Sequence, residues 1–254
     1  MAWDDDELRE KLDPLLSGLK DPGHVAVLTM RGSCCPVTRA HTQMFERARS
    51  ILLGRSVIRP RDTPHFVECV GLLSLNPDSS LWRKFQYSDE DATPLCWDDR
   101  ALLVRLATKD VPWMGLSTLK PEWAVHSFQL EARWQHLTFI HYHLNGADDV
   151  VRYQKWTWAS EEARYITMGR PGWTHQVIKG AQEWGIFDTP YFYVAPELPD
   201  ISATEVRAAL RRRDRAALSH LLHPAVASWC LEHYAAPHQS ADAEVESSGE
   251  LATE

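Results

Sequence analysis

The sequence has 254 residues, of which 44% are hydrophobic and 24% charged, and its formal net charge is −8. A chain of this length can bury a sizeable core. It fits one large domain, or one domain with a small lobe, because domains usually run to roughly 100–200 residues. The acidic balance argues against a nucleic-acid partner, which would favour a basic excess. It leaves room for a nucleotide ligand, since a few local Arg and Lys residues are enough to attract phosphate.

The cysteines indicate a reducing compartment. There are five of them, an odd number, and no two are spaced as C-x-x-C. A disulfide framework or a zinc ribbon is therefore not expected. The first residues are charged throughout and lack the pattern of a secretory signal, and no apolar run reaches the ~20 residues of a membrane helix. We expect an intracellular protein, cytoplasmic or nuclear, without a membrane partner.

Hydrophobic patterning predicts strands that alternate with helices. An amphipathic helix is predicted first, over 4–20. Predicted strands follow at 24–30, 66–73, 113–116, 138–144, 165–168 and 191–194, and predicted helices at 40–53, 99–108, 130–137, 203–212, 216–222 and 225–234. The alternation predicts an α/β fold with a Rossmann-like, mostly parallel sheet, helices on both faces and a C-terminal helical segment. The expected organisation is a helical extension (1–23), one domain (24–234) and a disordered acidic tail (235–254).

The first chemically suggestive motif lies between a predicted strand and a predicted helix. It reads Gly32-Ser33-x-x-Pro36-x-Thr38-x-x-His41. In an open parallel sheet, ligands bind beyond the carboxyl ends of the strands. A glycine there allows the backbone to approach phosphate, and the helix N-terminus adds unpaired N–H groups. His41 falls in the first helical turn, facing such an anion. An ordinary Gly-Ser turn with a surface histidine is the alternative.

The second motif is Ile201-Ser202-Ala203-Thr204-Glu205-Val206-Arg207. Ser202 is a natural helix N-cap, and Glu205 three residues later completes a capping box. A functional interpretation makes this a second helix N-terminus aimed at phosphates, with two hydroxyls and Arg207 as further donors. The alternative is a well-capped helix followed by a solvated basic run.

Together the two motifs resemble those of a known family. Residues 32–41 resemble the (H/T)-x-x-H phosphate loop of the nicotinamide and nicotinate mononucleotide adenylyltransferases, and residues 201–207 resemble their I-S-x-T-x-x-R motif. Further segments resemble the family between these two, at 74–85, 100–107, 112–113, 144–148, 155–156 and 170–172. The resemblance thus covers about residues 24–234. The sequence departs from the family pattern at Cys34-Cys35, Leu75, Asp99 and Ala203.

The resemblance implies adenylyl transfer from ATP to a pyridine mononucleotide, with Mg²⁺ accompanying the ATP. It implies catalytic roles for His41 and Arg207. The residues that it places against ATP are Gly32, Ser33, His41, Arg83, Lys84, Gly146, Asp148, Ser202, Thr204 and Arg207. Those that it places against the pyridine nucleotide are Trp113, Trp156 and Arg170. Family members often assemble, so a homo-oligomer is compatible with it.

Each of these roles has a simpler structural alternative. For Trp113 and Trp156 it is core packing, for Asp148 a helix N-cap, and for Arg83 and Lys84 a solvated loop. Two functional alternatives also stay open: a related transferase with a different phosphate acceptor, and a catalytically degenerate nucleotide-binding sensor or chaperone. The altered loop at Cys34-Cys35 motivates the second alternative.

Two other kinds of site have weaker support. His141 and His143 alternate along a predicted strand and share a face, which would suit a metal site, although packing is the commoner role at that spacing. Cys34 has no base near it in sequence that would activate it as a nucleophile. No metal ligand set is therefore predicted.

Overall fold

The computed structural model describes residues 6–56, 61–86 and 93–233. Its centre is a six-stranded sheet. The strands are β1 Gly23–Gly32, β2 Phe66–Leu75, β3 Met114–Ser117, β4 Leu137–Gly146, β5 Arg164–Gly169 and β6 Phe192–Glu197. They lie in the order β3-β2-β1-β4-β5-β6, and all five pairings are parallel. This is the Rossmann-like α/β fold that the sequence predicts.

Helices cover both faces of the sheet. They are α1 Asp6–Leu16, α2 Arg39–Leu52, α3 Asp78–Gln86, α4 Trp97–Thr108, α5 Pro121–Leu130, α6 Ala147–Tyr153, α7 Thr174–Glu183, α8 Ala203–Arg211, α9 Arg215–Leu221 and α10 Pro224–His233. The core on one face contains residues of α2, α4, α8, α9 and α10. On the other face, α1 and α5 pack against β1, β2 and β4, and α6 and α7 pack against β5 and β6. Because both faces are covered, the central strands read as continuous apolar runs.

The N-terminal helix α1 belongs to this core. Leu8, Leu12 and Leu16 are buried on one side of it, at helical spacing, and pack with the sheet residues Val25 and Val70. It is shorter than the predicted 4–20, because the helix ends at Leu16 and the following residues form a turn. The domain boundary predicted at residue 23 stays a prediction, and the predicted acidic tail lies outside the described residues.

One predicted helix is wrong. The segment 130–137 contains the last residue of α5, a short 3₁₀ turn at Ala132–Trp134 and the first residue of β4. Glu131 interrupts the helix with an extended backbone. The real helix lies earlier, and Pro121 at its first turn is a position that suits proline because its missing N–H is not needed there. Helices α3, α6 and α7 also form where no helix was predicted.

The sheet order creates a crevice between β1 and β4. The chain leaves β1 toward α2 on one face and leaves β4 toward α6 on the other, so the two connections separate at the carboxyl ends of these strands. Such a point is where open parallel sheets bind ligands. Gly32 ends β1 and Gly146 ends β4, so both glycine motifs open into this crevice. Among the described helices, none is long and apolar enough to cross a lipid bilayer.

Candidate nucleotide site

A cavity of about 900 Å³ occupies the crevice. Its volume lies in the range of pockets for small molecules and cofactors, roughly 300–1,000 Å³. The connections that follow β1, β2, β4, β5 and β6 all contribute to its wall. The structure brings together here eleven of the site residues that the sequence predicts: Gly32, Ser33, His41, Arg83, Lys84, Gly146, Asp148, Arg170, Ser202, Thr204 and Arg207.

His41 sits in the first turn of α2 as a neutral hydrogen-bond donor. The backbone N–H of Thr38, the N-cap residue, donates to Nδ1 of His41 over 3.0 Å. Nδ1 is therefore the acceptor nitrogen, and the ring proton of the neutral form is on Nε2. Burial lowers the pKa of His41 to about 4, so the ring is uncharged at neutral pH. The Nε2–H group can then donate to a ligand in the cavity that His41 lines.

Two buried arginines hold the carbonyl groups of the loop that joins β1 to α2. Nη1 of Arg100 donates to the carbonyl oxygen of Ser33 over 2.8 Å, and Nη1 of Arg207 donates to that of Cys35 over 2.9 Å. Arg100 has no exposed surface, and Arg207 is 7% exposed. A carbonyl oxygen repels an anion, so tying these oxygens to guanidinium groups suits the loop to receive phosphate.

Helix α8 presents a second N-terminus to the cavity. Ser202 caps it by accepting a hydrogen bond from the Glu205 N–H over 3.1 Å, which confirms the predicted cap. The hydroxyl proton of Ser202 can therefore still donate to a ligand. Arg207 donates to Oγ1 of Thr204 over 3.0 Å, and its guanidinium lies 5.1 Å from the centre of the Phe85 ring. Through these contacts Arg207 connects α8 with α3.

Arg100 is a site-supporting residue to which the sequence motifs gave no role. Besides Ser33, its Nη2 donates to the carbonyl oxygen of Asn76 over 2.9 Å and to Oδ1 of Asp78 over 2.6 Å. Asp78 begins α3, the helix that carries Arg83 and Lys84 to the cavity, and its Oδ2 accepts from the Trp97 N–H at the start of α4. One buried cation thus ties the β1–α2 loop to the start of α3. The available signal was that Arg100 opens the segment 100–107, one of those that resemble the family.

Asp148 and Arg170 also face the cavity, and they contact each other. Nη1 of Arg170 lies 3.1 Å from Oδ2 of Asp148, and Nη2 of Arg170 lies 2.8 Å from Oδ1 of Asp200. Gly146 lies directly beneath Asp148, because a Cβ at residue 146 would come within 3.0 Å of Oδ1. Asp200 was not nominated from the sequence. Only the folded chain places it beside Arg170, thirty residues away in sequence.

The structure does not bring Trp113 and Trp156 to the lining of this cavity. Trp113 precedes β3, packs partly buried against the core, and has the guanidinium of Arg49 4.8 Å from its ring centre. Trp156 packs against α7, where Gly180 is so close that a Cβ there would lie 2.5 Å from the indole. Both positions match the packing alternative.

The two loop cysteines are not poised for chemistry. Cys34 and Cys35 are each 2% exposed. Burial raises the pKa of Cys34 to about 12 and raises that of Cys35 as well. Because the thiolate is the reactive form, both side chains are inert thiols at neutral pH. Cys34 has a positive φ of 44°, which fits its place in a sharp turn of the loop.

His141 and His143 form a packed polar cluster on the face of the sheet that α1 and α5 cover. Nε2 of His141 lies 2.7 Å from Oγ1 of Thr29, and the two imidazole centres are 4.2 Å apart. His143 stacks on Tyr165 with 4.9 Å between ring centres. Within the described part of the chain, no group of three or more His, Cys, Asp or Glu residues is arranged to hold a metal ion.

This cluster makes the stability of the protein depend on pH. Burial lowers the pKa of His141 to about 3 and lowers that of His143 too, while an unfolded histidine titrates near pH 6.5. As the pH falls below 6.5, the unfolded chain takes up protons first, so stability is complete above that pH and is lost below it. We expect His141 alone to contribute a loss of about 2 kcal/mol between pH 7 and pH 5.

Urea denaturation at both pH values measures this loss. His141→Gln removes the titrating group and should reduce the difference between the two pH values, whereas His220→Gln on the exposed surface of α9 should leave it unchanged. An equal pH dependence in wild type and His141→Gln would show that His141 is protonated in the folded protein as readily as in the unfolded chain.

Comparisons with known proteins give low similarity throughout. No protein-family model matches the chain, and no curated protein matches it. Among solved structures, the nicotinic acid mononucleotide adenylyltransferase of Plasmodium falciparum complexed with NaAD is 14% identical, with a TM-score of 0.48 over 82% of this chain and 96% of that one. The same enzyme complexed with APC is 14% identical, with a TM-score of 0.47 over 83% of this chain and 95% of that one.

A putative nicotinate-nucleotide adenylyltransferase of Vibrio parahaemolyticus gives 16% identity, a TM-score of 0.38, and coverage of 81% of this chain and 98% of that one. Similarity at this level does not decide the chemistry of the present chain. That chemistry rests on the cavity and on the residues that line it.

Proposed function

We propose that this protein transfers the adenylyl group of ATP to nicotinamide or nicotinate mononucleotide, with NAD or its deamido form and pyrophosphate as products. The observation that carries the proposal is the meeting of two helix N-termini, those of α2 and α8, at one cavity. His41 and Arg207 stand in their first turns or close to them, and both line that cavity. Helix N-termini with added donors form an anion site.

The residues suit a displacement at phosphorus. An oxygen of the mononucleotide phosphate attacks the α-phosphorus of ATP, the bond to the bridging oxygen of the β-phosphate breaks, and pyrophosphate leaves with that electron pair. No enzyme nucleophile is needed, so catalysis consists of positioning the phosphates and stabilising the charge on them. His41 Nε2–H donates to the α-phosphate region, and Arg207 supplies the cationic donor from α8.

The other lining residues take complementary roles in this proposal. Gly32 and Ser33 let the β1–α2 loop approach the phosphates, and Ser202 and Thr204 present hydroxyls from the opposite side. Arg83 and Lys84 add positive charge from α3. Of the remaining three, Gly146 and Asp148 face the ribose of the nucleotide, and Arg170 pairs with Asp148. Mg²⁺ would accompany ATP as MgATP and neutralise phosphate charge, a role that needs few protein ligands.

The choice of a pyridine mononucleotide as acceptor rests on the sequence resemblance. The segments at 144–148, 155–156 and 170–172 carry it, and they lie around the end of β4 and the end of β5. The cavity lining supports the ATP half of the reaction independently, because its charges and helix termini suit a triphosphate whatever the acceptor is.

A coupled assay tests the proposal directly. Purified full-length protein receives MgATP with nicotinamide mononucleotide in one reaction and with nicotinate mononucleotide in another, and the dinucleotide and pyrophosphate are measured. We expect both products with at least one of the two acceptors. Pyrophosphate release only with a different phosphorylated acceptor would replace the substrate assignment. Tight ATP binding without turnover for any acceptor would identify a nucleotide sensor instead.

A further inference from the structure

Arg170 joins two carboxylates that different connections bring to the cavity. Its Nη1 lies 3.1 Å from Oδ2 of Asp148, in the first turn of α6. Its Nη2 and Nε lie 2.8 and 2.9 Å from Oδ1 of Asp200, which precedes α8. We call these three residues the carboxylate bridge; all three line the cavity. Since all three guanidinium nitrogens face carboxylate oxygens, the positive charge of Arg170 is neutralised within the bridge.

The charge of the bridge decides which part of a nucleotide can lie against it. Two carboxylates outnumber one guanidinium, so the bridge repels phosphate. The lining cations outside the bridge, which can serve a triphosphate, are Arg207 on α8, Arg83 and Lys84 on α3, Arg31 on β1 and Arg152 on α6. A carboxylate oxygen is only an acceptor, and it accepts from uncharged hydroxyl groups as well as from cations. The part of ATP that offers such donors is the ribose, with its neighbouring 2′ and 3′ hydroxyls.

The bridge fixes the orientation of both carboxylates, which are the hydrogen-bond acceptors. Arg170 holds Oδ2 of Asp148, while Gly146 lies against Oδ1 so closely that a Cβ would come within 3.0 Å. Asp200 is 57% exposed, and its two contacts with Arg170 restrain a side chain that solvent would otherwise leave mobile. Each carboxylate still has acceptor capacity beyond its contacts with Arg170, because two carboxylate oxygens offer about four lone-pair positions.

We propose that Arg170 is a positioning residue that holds Asp148 and Asp200 as a paired acceptor for the two ribose hydroxyls of the nucleotide, and that this pair makes the protein select ribonucleotides over deoxyribonucleotides. Asp200 is then a second hydroxyl acceptor beside Asp148. Arg170 contacts neither the pyridine ring nor a phosphate, and this role replaces the pyridine-nucleotide contact that the sequence resemblance implies for Arg170. The inference rests on the proposed function only in taking ATP as the ligand, and it does not depend on the acceptor.

Binding measured without any acceptor tests this inference. Calorimetric titration of the full chain with ATP, 2′-deoxy-ATP and 3′-deoxy-ATP gives three dissociation constants. We expect each deoxy nucleotide to bind about tenfold to a hundredfold more weakly than ATP, the usual effect of losing a hydrogen bond to a charged group. The readout is the ratio of the dissociation constant of each deoxy nucleotide to that of ATP. The absolute affinity is less informative, because a variant without Arg170 leaves both carboxylates uncompensated and repels every triphosphate.

Three variants separate the members of the bridge. Arg170→Met should reduce the preference for ATP over both deoxy nucleotides by about tenfold, and Arg170→Lys should restore part of it through a single ion pair. Asp200→Asn should reduce the preference for ATP over one of the two deoxy nucleotides more than the preference over the other. Gly146→Ala leaves every charge in place and displaces Asp148 by its new methyl group, so it should weaken the preference even if Arg170→Met folds poorly.

The matched control is Lys179→Met, which breaks an exposed ion pair with Glu183 on α7, outside the cavity lining. It should keep the wild-type ratios. Folded Arg170→Met and Gly146→Ala with wild-type ratios would overturn the inference, as would a wild type that binds all three nucleotides equally. Ribose selection without dinucleotide synthesis would support the inference and reject the proposed reaction, whereas a wild type that does not bind ATP would reject both.

Discussion

His41→Ala is expected to slow adenylyl transfer by about two to three orders of magnitude, the usual effect of removing one hydrogen-bond donor from a site of developing charge. Nε2–H is the donor that the ring presents, because Nδ1 accepts from the Thr38 N–H. The substitution also leaves that backbone N–H without its imidazole partner, which costs about 1 kcal/mol of stability. The fold should therefore persist, and the effect should appear in kcat with ATP and acceptor both saturating.

Two further variants make the result specific. His41→Asn keeps a side-chain amide that can donate a hydrogen bond, so it should recover part of the lost rate. His220→Ala, an exposed histidine on α9, should have the turnover of the wild type. The role of His41 would be refuted by a folded His41→Ala protein that turns over at a near-normal rate. Because the folded pKa of His41 is about 4, its titration should also leave no step in the rate between pH 6 and pH 8.

Arg100→Met is expected to have the second large effect, on stability and on ATP binding together. It removes one hydrogen bond to a carboxylate and two to the carbonyl oxygens of Ser33 and Asn76, at a side chain with no exposed surface. The loss should lower the free energy of unfolding by about 3 kcal/mol. With its Ser33 carbonyl released, the β1–α2 loop should bind ATP at least tenfold more weakly, by about 1.4 kcal/mol.

The same helix offers a matched control. Arg105 is 39% exposed and pairs with Glu7, which is 67% exposed, so Arg105→Met should change stability by less than about 1 kcal/mol and leave ATP binding unaltered. Urea denaturation and calorimetric titration of both variants give the comparison. Unchanged ATP affinity in Arg100→Met would show that the loop keeps its shape without this arginine.

The sequence predicted the strands of the sheet better than the helices. Strands such as β1 carry six consecutive buried residues, and a short apolar run with β-branched residues and a flanking glycine is typical of a buried strand. The helices that were missed carry weaker signals. In α6 the element has seven residues, two of them β-branched valines, and in α7 Gly180 interrupts the helical pattern. Helix α5 begins at Pro121, before the segment predicted as a helix, because proline suits the first helical turn and the apolar residues after it form the buried side of the helix.

The residues of the candidate site also differ in how well the sequence predicts them. Residues carried by a loop motif, such as His41 and Ser202, could be nominated because a motif keeps its members at fixed spacing around one helix terminus. The contacts of Arg100 with Ser33 and of Arg170 with Asp200 join residues 67 and 30 positions apart, and no local pattern encodes such pairs. Trp113 and Trp156 pack partly buried against apolar neighbours and do not line the cavity, a role that their large apolar surface allows equally well and that no local pattern distinguishes.

The arginine contacts of the β1–α2 loop bear on the kinetics of ligand capture. Arg100 and Arg207 hold the Ser33 and Cys35 carbonyl groups before any nucleotide arrives, so the loop has already lost its conformational entropy on folding. Association then needs no separate ordering step, and its observed rate should rise in proportion to ATP concentration instead of levelling off at a limiting isomerisation rate. The folding free energy of the chain, not the binding energy of its ligand, maintains the shape that receives the triphosphate.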